Sequence, residues 1–199
     1  SIFMASNLIQ SHIQLTQNII KEKFIELYEK KSLEKITVSE ICSACGISRS
    51  AFYQHFDDKY SVLDAISDEI LSHVQDLNAH MHEIHIKNTD ASIPLWIETA
   101  SYIYEKRKFI QPLICYPGNP VFVHKWNKIL RDSFRKRLTA DNYHNTEYLE
   151  IMVYSMASAI IGLYEYWFQF QPELTPKEIA EIGSRLLWSS FYHFADNKN

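Results

Sequence analysis

The chain holds few residues that break regular structure: 4 glycines and 6 prolines in 199 residues. That leaves little material for the many tight turns of an all-β sandwich or barrel, and long helices are expected instead. Cysteine is scarce as well. Cys42, Cys45 and Cys115 are three in number, so they cannot all pair within the chain, and a reducing, cytoplasmic setting is expected. No run approaches the ~18 apolar residues of a membrane span, and no secretory leader is read at the start, so no membrane partner is expected. The sequence also lacks a glycine-rich phosphate loop, a Gly-x-Ser-x-Gly, a His-Glu-x-x-His and any paired carboxylates with a catalytic context. An enzyme is therefore not expected, and no residue is assigned to catalysis, a cofactor or a metal.

Positive charge is not in surplus either. The net charge is -4 and the pI about 6.1. The first sixty residues are neutral, with seven Lys/Arg against seven Asp/Glu, so the whole excess of negative charge lies beyond them. Any contact with nucleic acid must rest on where charges sit, since bulk attraction is absent. What the chain does have is apolar and aromatic mass: 46% hydrophobic and 14% aromatic residues, enough for a substantial core.

The apolar spacing is helical throughout. Leu15, Ile19, Ile20, Phe24, Leu27 and Tyr28 mark one face of a first helix that should end near Lys31. Thr37 with Glu40 three residues on is a capping-box pattern, and Gly46 suits the left-handed end of the short helix that follows. Ser48 caps a second short helix, about Arg49 to His55, and Asp57 or Asp58 caps a longer one reaching about Glu83. Further helices are read over 93–106, 109–116, 122–137 and 147–170, with Pro117-Gly118-Asn119-Pro120 as the strongest turn and Thr175-Pro176 opening the last helix. The expected fold is all-α with about nine helices. An N-terminal helix-turn-helix domain is expected over 1–75, and a helical effector-binding and dimerisation domain over 76–199.

Two short helices joined by a glycine-containing turn make a helix-turn-helix, whose second helix can enter the major groove of double-stranded DNA. Ser48, Arg49 and Ser50 stand at its start. Tyr53 and His55 lie a turn further on, and Lys59 opens the next helix within reach of a phosphate. Ile36-Thr37-Val38, Ile41, Gly46-Ile47-Ser48, Phe52-Tyr53, His55-Phe56 and Lys59 together resemble the TetR/AcrR family of bacterial transcription regulators. The resemblance implies phosphate contacts from Thr37, Tyr53 and Lys59. It implies base reading chiefly by Arg49 and Ser50, with Gln54 and His55 secondary. Ser39 and Ala51 stand where other members often carry polar or basic groups. It further implies a homodimer on a palindromic operator, and a ligand-responsive repressor that works by changing the separation of two recognition helices. The alternative is a helix-turn-helix regulator, activator or repressor, controlled by a protein partner.

The aromatics between Trp96 and Trp167 exceed what a small core requires, so a cavity for a small apolar or aromatic effector is expected. Its candidate lining is Trp96, Tyr102, Phe109, Tyr116, Phe122, Trp126, Tyr154 and Trp167. Ser155, Ser158, Ala159 and Gly162 form a small-residue stripe on the long helix, expected at the dimer interface. The competing reading has them seat a helix of the same subunit. Three other features are read as structural. Cys42 and Cys45 lack the second ligand pair of a zinc site, His80, His82 and His85 surround a solvated helix end, and Arg135-Lys136-Arg137 ends a helix where positive charge is favourable.

Overall fold

Thr37 starts the second helix as the sequence predicts. Its hydroxyl accepts the Glu40 amide at 3.2 Å, and the Glu40 carboxylate accepts the Thr37 amide at 3.0 Å. This reciprocal capping satisfies two of the donors that a helix N-terminus leaves open. At the other end Gly46 takes φ +68°, a conformation that costs a residue with a Cβ about 1–2 kcal/mol. These local signals set the N-terminal part of a computed structural model that describes residues 2–85, 88–115, 120–144 and 146–196. Among the described residues there are nine α-helices and no strands. None of the helices is long and apolar enough to cross a membrane.

The chain divides into two compact units between Ile70 and Leu71, a division that falls inside one helix. The first unit holds α1 (Ile2–Tyr28), a 3-10 turn at Leu33–Lys35, α2 (Val38–Cys45), α3 (Arg49–Tyr53) and the start of α4 (Lys59–Leu77). Its core is built from Ile20 and Phe24 of α1, Ile41 of α2, Phe52 and Phe56, and Val62, Leu63 and Ile66 of α4, all buried. Each such side chain contributes about 1.5–3 kcal/mol by leaving water. Phe24 stacks on Tyr28 at 5.8 Å, and burial pushes the Tyr28 phenol up to about 12. Cys42 and Cys45 are free thiols that point at backbone oxygens of Ser48 and Ile19.

The second unit holds the rest of α4, α5 (Thr89–Glu105), α6 (Arg107–Cys115), α7 (Pro120–Ala140), α8 (Thr146–Phe170) and α9 (Pro176–Asp196). Helix α5 packs along α9, and α8 packs on α6, α7 and α9. Gly183 lets α9 approach α8 closely, since a Cβ there would meet Leu163 at 3.0 Å. Thr175 and Glu178 repeat the capping box at the start of α9.

Three boundaries differ from the sequence reading. Helix α4 stops at Leu77, not near Glu83: the Asn78 amide still reaches the Val74 carbonyl, but the Ala79 amide turns to Asp76 three residues back and the ladder tightens and ends. Helix α5 starts earlier, at Thr89, because Asn88 caps it by accepting the Ala91 amide. Helix α7 runs past the basic cluster to Ala140. Arg135 bridges Glu150 through two bonds of 2.8 and 2.9 Å, and Arg137 is buried with its guanidinium 4.2 Å from the Trp188 ring. His80 pairs with Glu83 and His82 with the Ala79 carbonyl. No three potential metal ligands cluster among the described residues.

Candidate nucleic-acid interface and effector cavity

Phe52 faces inward from α3, so the residues on its other sides face out. Arg49, Ser50, Tyr53 and Gln54 are exposed, as are Thr37, Ser39 and Ser48 around them. Ser48 caps α3 by accepting the Ala51 amide at 3.1 Å. The Arg49 guanidinium is held from two sides, donating to the Ser39 hydroxyl and to the Tyr53 hydroxyl at 3.3 Å each. It also lies 6.0 Å from the Tyr53 ring centre. Because Arg49 is the one Lys or Arg from Thr37 to His55, this cluster concentrates the positive charge of the motif at the tip of one helix. A guanidinium can present two parallel donors to a guanine edge, and its holders lower the entropy lost on docking.

Two of the expected DNA contacts, Lys59 and Thr37, already have partners within the chain. Lys59 donates all three ammonium protons inward, to the carbonyls of Leu33, Glu34 and Ile36 at 2.7, 3.1 and 2.9 Å. It closes the turn between α1 and α2 onto α4, so its ammonium is held by the chain where the sequence reading expected a phosphate. His55 is half-buried, and its Nδ1 is sealed without a partner. Thr37 keeps an exposed position, but its hydroxyl is already shared with Glu40. The carboxyl of Glu40 is held below its usual range, first by its bond from Lys31 and then by Thr37. Sequence spacing could not reveal the partners of Lys59, since they lie 23 to 26 residues away.

In the second unit a cavity of about 350 Å³ opens among α4, α5, α7 and α8. Of the eight expected lining residues, Trp96 and Trp126 are brought together in its wall. The other described ones lie elsewhere. Phe109 and Phe122 are buried in the core, Phe122 edge-on to Trp126. Tyr102 packs against His73, and Tyr154 is 55% exposed under Arg131. Trp167 is fully buried, stacked on Tyr104, and its indole donates to the Leu174 carbonyl at 2.9 Å. Tyr116 lies outside the described residues. Sequence reasoning missed Thr99, Leu130, Phe134 and Ile160 as wall residues, and Tyr164, one of the surplus aromatics, also stands in the wall. Helical spacing from the two tryptophans, at 96-99-103 and 126-130-134, carries the signal for most of them. Burial pushes the Tyr164 phenol far above its ordinary range, so it stays protonated.

The small-residue stripe turns outward. Ser155, Ser158 and Gly162 are exposed and Ala159 is half-buried, and a Cβ on Gly162 would meet nothing within 4 Å. Gly162 therefore meets no neighbouring helix among the described residues. Exposed Ile151, Tyr166 and Phe170 continue the surface on α8, and exposed Ile182 and Leu186 stand on α9.

Comparison with known proteins adds the following. Residues 25–66 match the model of bacterial regulatory proteins of the tetR family, and residues 90–188 match that of a transcriptional regulator C-terminal region. An uncharacterised helix-turn-helix transcriptional regulator of Bacillus subtilis, YxbF, is 21% identical over 169 residues. These make up 81% of this chain, but the chain spans only 42% of that relative's length. A TetR transcriptional regulator from Streptococcus agalactiae has the same fold, with a TM-score of 0.67 at 17% identity over 92% of this chain and 98% of the other. FadR of Thermus thermophilus, a TetR-family repressor solved with lauroyl-CoA, aligns with a TM-score of 0.60 at 18% identity, over 86% and 92%.

Proposed function

We propose that this chain, which belongs to the TetR family of DNA-binding bacterial transcriptional regulators, is a cytoplasmic, ligand-responsive repressor that binds a palindromic operator as a homodimer. The relatives are regulators and not enzymes. The first unit binds DNA; the second binds effector and dimerises.

The observation that carries the DNA reading is the exposed Arg49, braced by Ser39 and Tyr53 at the start of α3. Arg49 and Ser50 read bases, helped by Gln54. Tyr53, Thr37, Ser39 and Ser48 approach the backbone, and His55 lies at the edge. One such helix meets too few bases for a genome-wide search, so two copies read half-sites about 34–36 Å apart. The outward stripe of Ser155, Ser158 and Gly162, flanked by Ile182 and Leu186, supports α8 and α9 as the surface where the copies meet. A walled cavity with a buried floor supports a small-molecule effector over a protein partner. Val74, Gln75 and Asp76 of α4 line that cavity. A ligand that favours one setting of α4 therefore shifts the equilibrium between binding and released states, by no more than its differential affinity for the two.

Selection of bound fragments from a random DNA pool with the full chain tests this. The expected product is one enriched sequence with two-fold symmetry and half-sites one helical turn apart. No enrichment overturns the operator reading, and an enriched site without symmetry overturns the dimer.

A further inference from the structure

We propose that Cys42 and Cys45 form a modification site: they exchange with low-molecular-weight disulfides and close a reversible bond within α2, at the joint that carries α3. The bond needs α2 alone. Its consequence for operator binding rests on the reading of α3 as the DNA-binding helix.

The two cysteines stand three residues apart, in Cys42-Ser43-Ala44-Cys45, at the C-terminal end of α2. Three residues of helix separate Cα atoms by about 5 Å and put both side chains on one face. That spacing lies within the ~4.4–6.8 Å that a disulfide spans. Both are free thiols, and they divide the two roles of an exchanging pair. Cys45 is half-buried and open to approach, whereas Cys42 is 4% exposed and out of reach of a reagent. Burial, and after it the neighbouring Cys42, hold the Cys45 thiol above its usual range. Its thiolate is therefore scarce, but the thiolate that does form is the stronger nucleophile.

The step balances as follows. The Cys45 thiolate attacks one sulfur of a disulfide R-S-S-R, forms a mixed disulfide and releases one thiolate of R. Cys42, deprotonated in turn, attacks the Cys45 Sγ, closes the internal bond and releases the second. The two cysteine sulfurs lose two electrons, the reagent becomes two thiols, and the two cysteine protons end on those thiols.

Closing the bond moves the chain. Side chains three apart on a helix have Cβ atoms about 5–6 Å apart, and a disulfide needs ~3.5–4.5 Å. The last turn of α2 must tighten, and that turn is tied to the start of α3. The Cys42 carbonyl accepts the Gly46 amide and, at 3.1 Å, the Ile47 amide, while the Cys42 thiol donates to the Ser48 carbonyl at 3.9 Å. Ser48 caps α3 immediately before Arg49. The bond takes the thiol off Ser48 and shifts the carbonyl that shapes the turn, so it displaces the base-reading end of α3. A disulfide closed against helix geometry is strained and easily reduced, which makes the change reversible.

Bis(2-hydroxyethyl) disulfide, a small uncharged probe, tests this on the full chain. Intact and peptide masses are read after the excess is removed. The wild type is expected to end two hydrogens lighter, with Cys42 joined to Cys45, and to revert with dithiothreitol. Cys42→Ser should retain half of the probe on Cys45, and Cys45→Ser should leave Cys42 unmodified. Probe retained on Cys45 of the wild type, a bond between two copies, probe on Cys42 of the Cys45→Ser variant, or no reaction each overturns the proposal. Should a variant fail to fold, the wild-type masses decide alone. The effect on α3 is read twice. The amide NMR signals of Ser48, Arg49 and Ser50 should shift on oxidation and return on reduction, and unshifted signals overturn the coupling. Affinity for the duplex enriched by selection should fall about tenfold or more, since α3 no longer fits the groove. Shifted signals with unchanged affinity support the coupling and overturn the DNA reading of α3.

Discussion

Arg49→Ala separates the roles assigned around α3. Arg49 is exposed and its bonds go only to two other exposed side chains, so the variant is expected to fold as the wild type does. An arginine forked onto guanine is worth about 1–3 kcal/mol of discrimination. A homodimer loses the contact in both half-sites, about 2–6 kcal/mol, which at 1.4 kcal/mol per decade is roughly 30-fold to 10⁴-fold in operator affinity. Random DNA is bound through phosphates, which Arg49 is not assigned to touch, so its affinity should fall by no more than about threefold. Arg49→Lys sharpens the test, since an ammonium keeps the charge and loses the fork. It should match the alanine variant in lost specificity and the wild type in the salt dependence of binding. Tyr53→Phe removes one brace at the long end of hydrogen-bond distance, about 0.5 kcal/mol per site, and should cost a few-fold in specificity. Mobility shifts on operator and scrambled duplexes, over a range of salt, read all of these. Equal losses on both duplexes for Arg49→Ala would refute the base-reading role.

Three further outcomes follow from local geometry. Gly46→Ala meets no atom within 4 Å, so it should cost only the left-handed backbone, about 1–2 kcal/mol in chemical denaturation, and Gly46→Asn should recover most of it; a larger loss for Asn than for Ala contradicts this. Ser158→Arg changes an exposed position, so the subunit should stay folded while light scattering reports a monomer, and a persisting dimer rejects the α8 surface. The carboxyls of Glu40 and Glu178 are held below their usual range, Glu40 chiefly by Lys31 and Glu178 by the Thr175 amide. A lowered carboxyl adds stability above its unfolded value and loses it as pH falls through the folded one. Acid titration should therefore fray the starts of α2 and α9, and Glu178→Gln should flatten that part of the profile for α9; an unchanged profile is the contrary result.

What was legible in the sequence is what short-range chemistry decides. Thr37, Glu40, Gly46 and Ser48 each act within three residues of themselves, and all four do in the structure what their types predict. Lys59 also belongs to a legible motif, yet its partners come from a turn more than twenty residues back. Only the folded chain brings a lysine onto three carbonyls, a clamp that the motif does not announce. The end of α4 failed for the opposite reason. The apolar spacing runs on through Leu77 and Met81, but from Ala79 the amides turn to carbonyls three residues back and the helix ends. Periodicity reports which face is apolar and is blind to where the backbone hydrogen-bond ladder tightens and stops.

The aromatics show where composition ceases to inform. An excess of rings suggested a cavity in the second half, but ring content is the same whether a tryptophan seals a core or walls a hollow. Position on the helix recovers part of the distinction. Tyr154 sits one residue past buried Val153, off the stripe Val153–Ala157–Ile160–Tyr164 that faces inward, and is therefore exposed. The rest is decided by hydrogen bonding. Trp167 and Trp126 are both fully buried on helices of the same unit, and nothing in their neighbouring residues separates them. Trp167 finds the Leu174 carbonyl where Pro172 has turned the chain back, so its donor is spent on structure. Trp126 finds no acceptor. Since a buried donor without a partner lowers stability, the chain carries that cost at Trp126 and not at Trp167.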